Sequence, residues 1–213
     1  MIVAFIGPPG SGKGTIAQLF AKKGWIHFSM GQALREYALK KEKFSAQVAR
    51  IQKEGKLVPN HITQEVFTHS LSFHSKKNII LDGFPRNKEQ TSGVRTALRH
   101  MKRDFTAFIY FDVDMVELQK RLSARRQCVK CGKIYGLHVK PKRKGICDVD
   151  KGKLILRNDD KPSVIKERFK VYEHETLPVV DWASKHYPVF NINASGSPPI
   201  IFKRVQRVLS TVK

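Results

Sequence analysis

The chain has 213 residues, of which 41% are apolar, 40 are Lys or Arg and 18 are Asp or Glu. This composition suits one α/β domain with insertions, or one domain plus a small module, and argues against a disordered chain. No apolar run approaches the roughly 18 residues of a membrane span, and no signal-peptide pattern precedes the first predicted strand. We therefore expect a cytoplasmic protein with no membrane partner.

The formal net charge of +22 is the most extreme feature of the composition. A surplus this large attracts polyanions, so weak binding of nucleic acid at low salt is expected. The basic residues are spread along the chain rather than gathered in a tail. This spread favours a solvated surface around a phosphate-handling site, or a generally basic proteome, and we predict no obligate nucleic-acid partner.

Apolar runs with strand character alternate with segments of helical spacing. This alternation predicts a parallel sheet covered by helices on both faces. Strands are predicted at residues 2–6, 25–28, 78–82, 107–112 and 188–192. Helices with both ends predicted are 29 to about 39, 44–51, 88–100, 114–126 and 199–209. Three further helices are predicted by their start alone: after residue 15, from residue 60 and from a cap at Ser163. Residues 29–58 are too short for a core of their own, so they are predicted to form a small helical insertion that can move.

The first strand is followed by residues 7–15, which read GPPGSGKGT, and then by a helix. Strand, glycine-rich turn and helix form the context that a phosphate loop requires. The glycines let backbone N–H groups approach an anion, and the helix presents its positive end to the same place. In the general pattern Ser or Thr follows the lysine directly, whereas here Gly14 intervenes. Phosphate binding is predicted for Gly10, Ser11, Gly12, Lys13, Gly14 and Thr15.

Asp82 ends a buried strand and matches the acid that holds the metal of phosphate-loop nucleotidases through water, although a helix cap or turn residue is the alternative. Arginines occur on several separate elements, and guanidinium groups suit phosphoryl transfer because they bind phosphate bidentately and keep their charge. On so basic a chain, any single arginine could equally be solvated. The candidates are Arg35, Arg86, Arg121, Arg125, Arg157 and Arg168. No clear general base is present, and an acceptor that is itself an ionised phosphate needs none.

All three cysteines lie between positions 128 and 147. An odd number in one short segment argues against a disulfide framework and for a metal site. The spacing Cys-x2-Cys-x15-Cys-x2-Asp fits a zinc ribbon, with free buried thiols as the alternative. Asp148 directly follows Cys147, so the two side chains cannot easily bind one metal ion as the second pair of ligands. We therefore predict a structural zinc held by Cys128, Cys131, Cys147 and Asp150, because four protein ligands leave no open position for catalysis.

Five motifs, in order, resemble the signatures of the adenylate kinases: residues 7–15, GKLVP at 55–59, LDGFPR at 81–86, RLSARR at 121–126 and RNDD at 157–160. The chain is similar over essentially its whole length to the long-lid, zinc-bearing bacterial type, in which Gly14 is normal. The resemblance implies a three-layer α/β phosphate-loop NTPase fold. A core of 1–28, 59–124 and 162–213 would carry a helical NMP-binding insertion at 29–58 and a small β-rich zinc lid at 125–161.

The resemblance also implies a reaction: reversible transfer of the terminal phosphate of Mg-ATP to AMP, giving two ADP, by a monomer. Residues 125–161 carry twelve Lys or Arg and four Asp or Glu. We expect this surplus to offset the formal charge of −2 at a zinc site with three thiolates and one carboxylate, and to attract ATP. Closure of the NMP-binding insertion and of the lid over the nucleotides would exclude water and prevent hydrolysis of ATP.

Site roles follow from the same resemblance, position by position. Asp82 would hold Mg²⁺ through water, and Tyr135 would lie where the lid covers ATP, unless it serves in lid packing. ATP would contact residues 10–15, Arg121 and Arg125. AMP would contact Met30, Arg35, Lys56, Leu57, Val58, Gly83, Arg86 and Gln90, with Arg157 and Arg168 bridging both phosphate chains. The catalytic group would be Lys13, Arg86, Arg125, Arg157 and Arg168.

One departure from the family pattern concerns the acceptor. The family usually shows Ser-Thr-Gly-Asp where this chain has Ser29-Met30-Gly31-Gln32. Met30 replaces a hydroxyl near the acceptor with a flexible thioether, and Gln32 replaces an acid. We hypothesise weaker AMP binding.

Two other functions compete with AMP phosphorylation. The first is a kinase for another nucleoside monophosphate, although the short-lid pyrimidine kinases lack a zinc-spaced insertion. The second is a nucleic-acid-associated NTPase with a basic zinc ribbon. It explains the charge of +22 but gives no role to Arg35, Arg86 and Gln90.

Overall fold

The computed structural model describes residues 1–40, 42–71 and 77–212. The strands are β1 Ile2–Ile6, β2 Ile26–Ser29, β3 Ile79–Asp82, β4 Ala107–Asp112, β5 Arg126–Cys128, β6 Ile134–Tyr135, β7 Leu154–Ile155 and β8 Val189–Asn193. The helices are α1 Lys13–Ala21, α2 Met30–Leu39, α3 Ser45–Glu54, α4 Asn60–Leu71, α5 Lys88–His100, α6 Met115–Ala124, α7 Pro162–Val171, α8 Leu177–Ser184 and α9 Pro198–Leu209. A π-helical turn at Tyr172–Thr176 joins α7 to α8.

The core is a five-stranded parallel sheet in the order β2-β3-β1-β4-β8. Every residue of β1 is buried, as expected for a parallel strand covered on both faces. Ile2, Ala4 and Ile6 pack into the hydrophobic cluster that includes residues of α4, α5 and α8. Val3 and Phe5 pack on the other face, against residues of α1 and α9. The predicted α/β fold with a central parallel sheet is confirmed.

The strand order places a crevice at the carboxyl end of β1. Strand β1 pairs with β3 on one side and with β4 on the other, so the connections diverge there. The phosphate loop leaves β1 at this point. Register pairs Phe5 with Asp82, which brings the last residue of β3 next to the loop.

The two predicted insertions differ in how they are packed. Met30, Leu34, Val48 and Val58 belong to the same hydrophobic cluster as the sheet. The lid segment instead forms a separate three-stranded antiparallel sheet, in the order β6-β5-β7. Its buried residues form a small cluster of their own: Cys128, Tyr135, Cys147 and Leu154.

Two local details correct the predicted elements. Helix α7 begins at Pro162, and Lys161 rather than Ser163 occupies the cap position. Proline suits the first helical position because its fixed φ is helical and its missing N–H is not needed there. The long helix predicted from residue 163 is interrupted by the π-helical turn, which precedes Pro178, a residue that cannot donate a backbone hydrogen bond.

Ser29 lies at the predicted cap of α2, but its side chain makes no capping hydrogen bond. The strand predicted at 25–28 runs from Ile26 to Ser29. Within the described ranges, no helix is long and apolar enough to cross a membrane.

Candidate active site

A cleft of about 600 Å³ lies between the phosphate loop, α2 and the lid. Twelve of the residues predicted to contact nucleotide or magnesium line it: Gly10, Gly12, Lys13, Gly14, Thr15, Arg35, Asp82, Gly83, Arg86, Arg121, Arg125 and Tyr135, together with the bridging pair Arg157 and Arg168. Six predicted residues do not line it: Ser11, Met30, Lys56, Leu57, Val58 and Gln90. The cleft therefore gathers Lys13 and all the predicted arginines, and it omits Lys56 and the apolar residues Met30, Leu57 and Val58.

Two glycines give the phosphate loop its shape. Gly12 has a φ of +92° at the cap of α1, a left-handed conformation that favours glycine. Gly14 lies against the end of β3, where an added Cβ would stand 3.0 Å from Asp82 Oδ2. The glycine that departs from the general phosphate-loop pattern thus allows the acid to approach the loop closely.

Lys13 lies inside the loop and donates three hydrogen bonds. Its Nζ is 2.7 Å from the Gly7 carbonyl oxygen, 2.9 Å from that of Pro8 and 2.9 Å from Ser11 Oγ. Burial lowers the pKa of Lys13 from 10.5 to about 7, because the nearby charge of Asp82 does not compensate for burial and for the surrounding arginines. An anion in the cleft would restore the charge on this lysine.

Asp82 has a partner that the sequence did not indicate. His27 Nε2 lies 3.1 Å from Asp82 Oδ2, because β2 runs beside β3. Burial opposes ionisation of Asp82, but the hydrogen bond and charge of His27, with the charge of Lys13, outweigh it and lower the pKa of the carboxyl. The acid is therefore ionised and oriented. A lone histidine in an apolar strand gave no signal of this role.

Arg86 is fixed by its own turn. Its Nε donates to the Gly83 carbonyl oxygen at 2.8 Å, and its backbone N–H donates to Gln90 Oε1 at 2.8 Å. Gly83 has a φ of +62°, and an added Cβ would stand 3.3 Å from Arg86 Nη2. Gln90 is only 4% exposed and holds the Arg86 backbone. Its contact with the AMP base stays a prediction.

Helix α2 contributes Arg35 to the cleft. Gln32 Oε1 accepts from Arg35 Nη2 at 2.9 Å and from Nε at 3.3 Å. Burial, reinforced by the charge of Arg157, lowers the pKa of Arg35 to about 9. Gln32 thus orients this guanidinium without adding a negative charge.

Met30 does not face the cleft. Its side chain is 2% exposed and packs in the core with Phe28 and Leu34. The cleft wall at this place is formed by Ser29, Gly31 and Gln32. The interpretation that the Met30 thioether meets the acceptor is therefore corrected: Met30 and Leu34, four residues apart, share the inward face of α2.

The segment after α3 approaches the cleft through Gly55 rather than through residues 56–58. An added Cβ at Gly55 would stand 2.8 Å from Val164 Cγ1 and 2.9 Å from Arg168 Cγ, so the turn packs closely on α7. Val58 is buried in the core, and the Lys56 amine pairs with exposed Glu54 at 3.0 Å. Lining of an AMP pocket by the backbone of 56–58 stays a prediction.

Three arginines meet two acids at the end of the lid segment. Arg125 forms a bidentate pair with Asp160, whose side chain is fully buried. Arg168 Nη1 lies 2.8 Å from Asp160 Oδ1 and 3.2 Å from Asp159 Oδ2. Arg157 holds Asp159 with two further bonds of 2.9 and 2.5 Å. The acids were part of a recognised motif, but their pairing with these arginines was not foreseen.

The charges in this cluster influence one another. Burial raises the pKa of Asp159, but Arg168 and Arg157 outweigh it, so its pKa lies below the usual range. Burial, with the repulsion from Arg125 and Arg157, lowers the pKa of Arg168 to about 10. The cluster therefore carries more positive charge than its two carboxylates neutralise.

Arg121 ties α6 to the phosphate loop. Its Nη1 donates to the Ser11 carbonyl oxygen at 3.3 Å, and its Nη2 donates to Glu117 Oε1 at 2.5 Å and to the Ala194 carbonyl oxygen at 2.8 Å. Its Nε is buried and unpartnered within the described part of the chain. Arg121 lines the cleft, and its contact with ATP stays a prediction.

Tyr135 is 1% exposed, and its hydroxyl serves the lid. The hydroxyl lies 3.4 Å from Cys147 Sγ and accepts the backbone N–H of Asp148 at 2.8 Å. These contacts favour lid packing, the alternative role for this ring. A contact with ATP stays a prediction.

The predicted zinc ligands are gathered in the lid. One ligand atom from each of Cys128, Cys131, Cys147 and Asp150 lies within 4.8 Å of the others. Cys131 Sγ and Cys147 Sγ are 3.6 Å apart, close to the ~3.8 Å edge of a tetrahedron with Zn–S bonds of about 2.3 Å. The donor set and its dimensions fit a tetrahedral zinc ion.

The backbone around this cluster is shaped for thiolates. The N–H groups of Lys130 and Val149 each donate to a cysteine sulfur two residues earlier, at 3.4 Å. At Gly152 an added Cβ would stand 2.6 Å from Cys128 Sγ and 2.9 Å from Asp150 Oδ1. Gly152 was not singled out in the sequence, although it follows the acid by two residues.

Residues 5–187 match the family model described as adenylate kinase. An adenylate kinase of Thermosipho africanus (strain TCF52B) is 39% identical over 98% of this chain and 99% of that protein. An adenylate kinase of Hydrogenobaculum sp. (strain Y04AAS1) is 36% identical over 98% of this chain and 100% of that protein. One of Borrelia turicatae (strain 91E135) is 38% identical over 99% of this chain and 99% of that protein. The chain belongs to the adenylate kinase family.

Family membership confirms the recognition made from the five motifs and the enzyme class that it implied. The arginines that line the cleft come from α2, the turn after β3, α6, the lid segment and α7. They converge on one cleft only in the folded chain.

Asp160→Asn tests the acid that holds Arg125 and Arg168. Removing the negative charge leaves two close guanidinium groups without their buried partner, so we expect a loss of about 3 kcal/mol in the free energy of unfolding and a fall of ~10²-fold in kcat. The matched control is Glu54→Gln, which removes an exposed ion pair and should leave kcat within about twofold. Steady-state kinetics and denaturant unfolding measure both, and an unchanged kcat in Asp160→Asn would contradict this role.

ATP binding should be accompanied by proton uptake at Lys13. With a pKa of about 7, this lysine is mostly neutral at pH 8, and the phosphates of ATP raise its pKa, so up to one proton is taken up. Titration calorimetry with Mg-ATP at pH 8 in buffers of different ionisation enthalpy measures this. Lys13→Arg, which stays charged, should show almost no uptake. A heat of Mg-ATP binding that does not change with the buffer in the native chain would contradict the lowered pKa of Lys13.

Proposed function

We propose that this member of the adenylate kinase family transfers the terminal phosphate of Mg-ATP to AMP in the cleft, giving two ADP. The observation that carries the proposal is the arrangement of cations around one cavity. The phosphate loop with Lys13 lies on one side, Arg35 and Arg86 lie on the other, and a further group of arginines lies between α6, the lid and α7. Two phosphate chains, rather than one, match such a distribution of charge.

On the ATP side, the backbone of residues 10–15 and the Lys13 ammonium would hold the β- and γ-phosphates, and Arg121 and Arg125 would contact the nucleotide from above. Asp82 fits the magnesium site because its carboxyl pKa is lowered, its side chain lines the cleft with 14% exposure, and it lies close to the loop at Gly14. It would hold the ion through water. When bound, Mg²⁺ would neutralise part of the negative charge of the ATP phosphates.

On the AMP side, Arg35 and Arg86 would hold the acceptor phosphate. Each is oriented in advance, Arg35 by Gln32 and Arg86 by the Gly83 carbonyl. Gln90 would contact the base from behind Arg86, and the backbone of residues 56–58 would border the pocket. Pre-oriented guanidinium groups lose little freedom when they bind phosphate.

The chemical step needs positioning more than proton transfer. An oxygen of the AMP phosphate attacks the γ-phosphorus of ATP, and the bond from that phosphorus to the β,γ-bridging oxygen breaks, leaving ADP on each side. Lys13, Arg86, Arg125, Arg157 and Arg168 would stabilise the charge on the phosphate oxygens in flight. The acceptor is already ionised, so no general base is required.

Water must be excluded, since it would otherwise accept the phosphate. The short distance between the two insertions supports closure by residues 29–58 and 125–161, because a Cβ added at Gly132 of the lid would lie 3.9 Å from Gln32 Nε2 of α2. We propose that these segments move relative to the core to admit and release nucleotides. The protein would act as a cytoplasmic monomer with no obligate nucleic-acid partner.

We further propose that the lid cluster binds one structural zinc ion. Support comes from the tetrahedral dimensions, the two N–H···S bonds and the space kept free by Gly152. Four protein ligands complete the coordination, so the ion would stabilise the lid without taking part in transfer.

The acceptor is tested by an assay panel in which ATP is combined with AMP, GMP, CMP or UMP, and with RNA alone. We expect AMP to give the highest kcat/KM and stoichiometric ADP. Arg86→Lys should raise the KM for AMP by at least ~10-fold, because a bidentate contact is lost. Preference for another monophosphate, or RNA-stimulated ATP loss without nucleoside diphosphate formation from the acceptor, would contradict the proposal.

The zinc proposal predicts one zinc per chain by elemental analysis. Chelation should lower the melting temperature by roughly 5–10 °C, whereas activity at 25 °C persists. Asp150→Asn and Asp148→Asn form a matched pair of neighbouring carboxylates. The first should weaken zinc binding by at least ~10-fold and the second should not. Unchanged melting after metal removal, or equal effects of the two substitutions, would count against the site.

A further inference from the structure

The far part of the lid carries a dense group of basic side chains. Within residues 140–153 there are six Lys or Arg and two Asp. All six basic residues are exposed, and they are called the lid patch here: Lys140, Lys142, Arg143, Lys144, Lys151 and Lys153.

Backbone pairing builds this patch from two separate stretches of sequence. Ile146 forms an antiparallel β-bridge with Lys153. The Leu154 N–H donates to the Gly145 carbonyl oxygen at 2.8 Å, and the Cys147 N–H donates to the Gly152 carbonyl oxygen at 2.8 Å. These bonds bring residues 151–153 alongside residues 143–147. The patch is therefore attached to an ordered scaffold rather than to a free tail.

The reaction does not account for the lid patch. None of its six side chains lines the nucleotide cleft. Within the described ranges none forms an ion pair, and the two nearby acids are engaged elsewhere: Asp150 faces Cys128, and Asp148 accepts the backbone N–H of Lys142. A zinc site with a formal charge of −2 would offset only a third of this charge.

We propose that the lid patch binds double-stranded nucleic acid through its phosphates. A duplex carries one negative charge per about 1.7 Å of its axis, and Lys and Arg that neutralise phosphates release condensed counterions. The lid contains no exposed Phe, Tyr or Trp, since its one such ring, Tyr135, is buried. Without such a ring the lid offers little surface for stacking on unpaired bases, so we expect the contact to read the phosphate backbone rather than the sequence.

An anionic membrane surface is the less favoured partner. The exposed apolar residues between and just after the patch residues are Ile146, Val149, Ile155 and Leu156, and no exposed aromatic ring of the lid accompanies them to enter the headgroup region. A duplex also leaves the cleft accessible, because the patch residues do not line it. Nucleic-acid binding is thus an activity separate from phosphoryl transfer.

The test measures the binding of a fluorescently labelled 20-base-pair duplex by anisotropy between 50 and 200 mM KCl. Six phosphate contacts predict a slope of about −5 in a plot of log K against log salt concentration. Replacing Lys142, Arg143 and Lys144 by Gln should reduce that slope by about 3 and weaken binding at least ~10-fold at 100 mM salt, and replacing Lys151 and Lys153 by Gln should reduce it by about 2. The matched control replaces three exposed lysines of the core by Gln: Lys22, Lys185 and Lys203.

The control should change duplex affinity by less than about threefold, and all variants should keep the parent kinase activity, which also shows that they are folded. Equal losses in the control and the patch variants would overturn the proposal in favour of diffuse charge. Vesicles containing phosphatidylglycerol provide the other arm. Patch-dependent binding to vesicles without patch-dependent binding to the duplex would overturn it in favour of a membrane. Loss of kinase activity with AMP in the parent chain would contradict the proposed function and leave this test unaffected.

Discussion

The site depends on holding several largely buried guanidinium groups close together. Like charges repel strongly under those conditions. Asp159 and Asp160 offset the repulsion, because Arg125, Arg157 and Arg168 each bond to one or both of them. The acids end the lid segment, whereas Arg168 lies on α7, so the same ion pairs also join the lid to the core.

The cationic side chains that line the cleft outnumber the acids beside them. This surplus of positive charge favours the binding of phosphate groups. Burial lowers the pKa of Lys13 to about 7 and that of Arg35 to about 9, because the nearby acids do not compensate for burial and for the neighbouring arginines. Fixed charges that are already oriented stabilise an anion without reorganisation when it arrives. Asp82 is the negatively charged group beside the loop, and it is the residue that we propose holds magnesium through water.

Local patterns predicted the strands, the phosphate loop and the metal cluster, because each depends on spacing within a short stretch. Partners across the fold were not predictable in this way: His27 meets Asp82 only because β2 lies beside β3, and Asp160 meets Arg168 only when the lid segment folds onto α7. Met30 was placed near the acceptor from a motif, although helical spacing with Leu34 indicates the core position that it occupies. The sequence indicated a basic surplus in residues 125–161, but only the backbone pairing shows that its two stretches lie side by side.

The central claim is that one cluster of cations serves both nucleotides at the same time. Titration with a bisubstrate analogue, in which two adenosines are joined by a chain of five phosphates, tests it most directly. We predict a single analogue bound per chain, displacement of both ATP and AMP, and weaker binding when either Lys13 or Arg86 is replaced. An analogue that displaces only one of the two nucleotides, or that binds as two copies per chain, would contradict the claim.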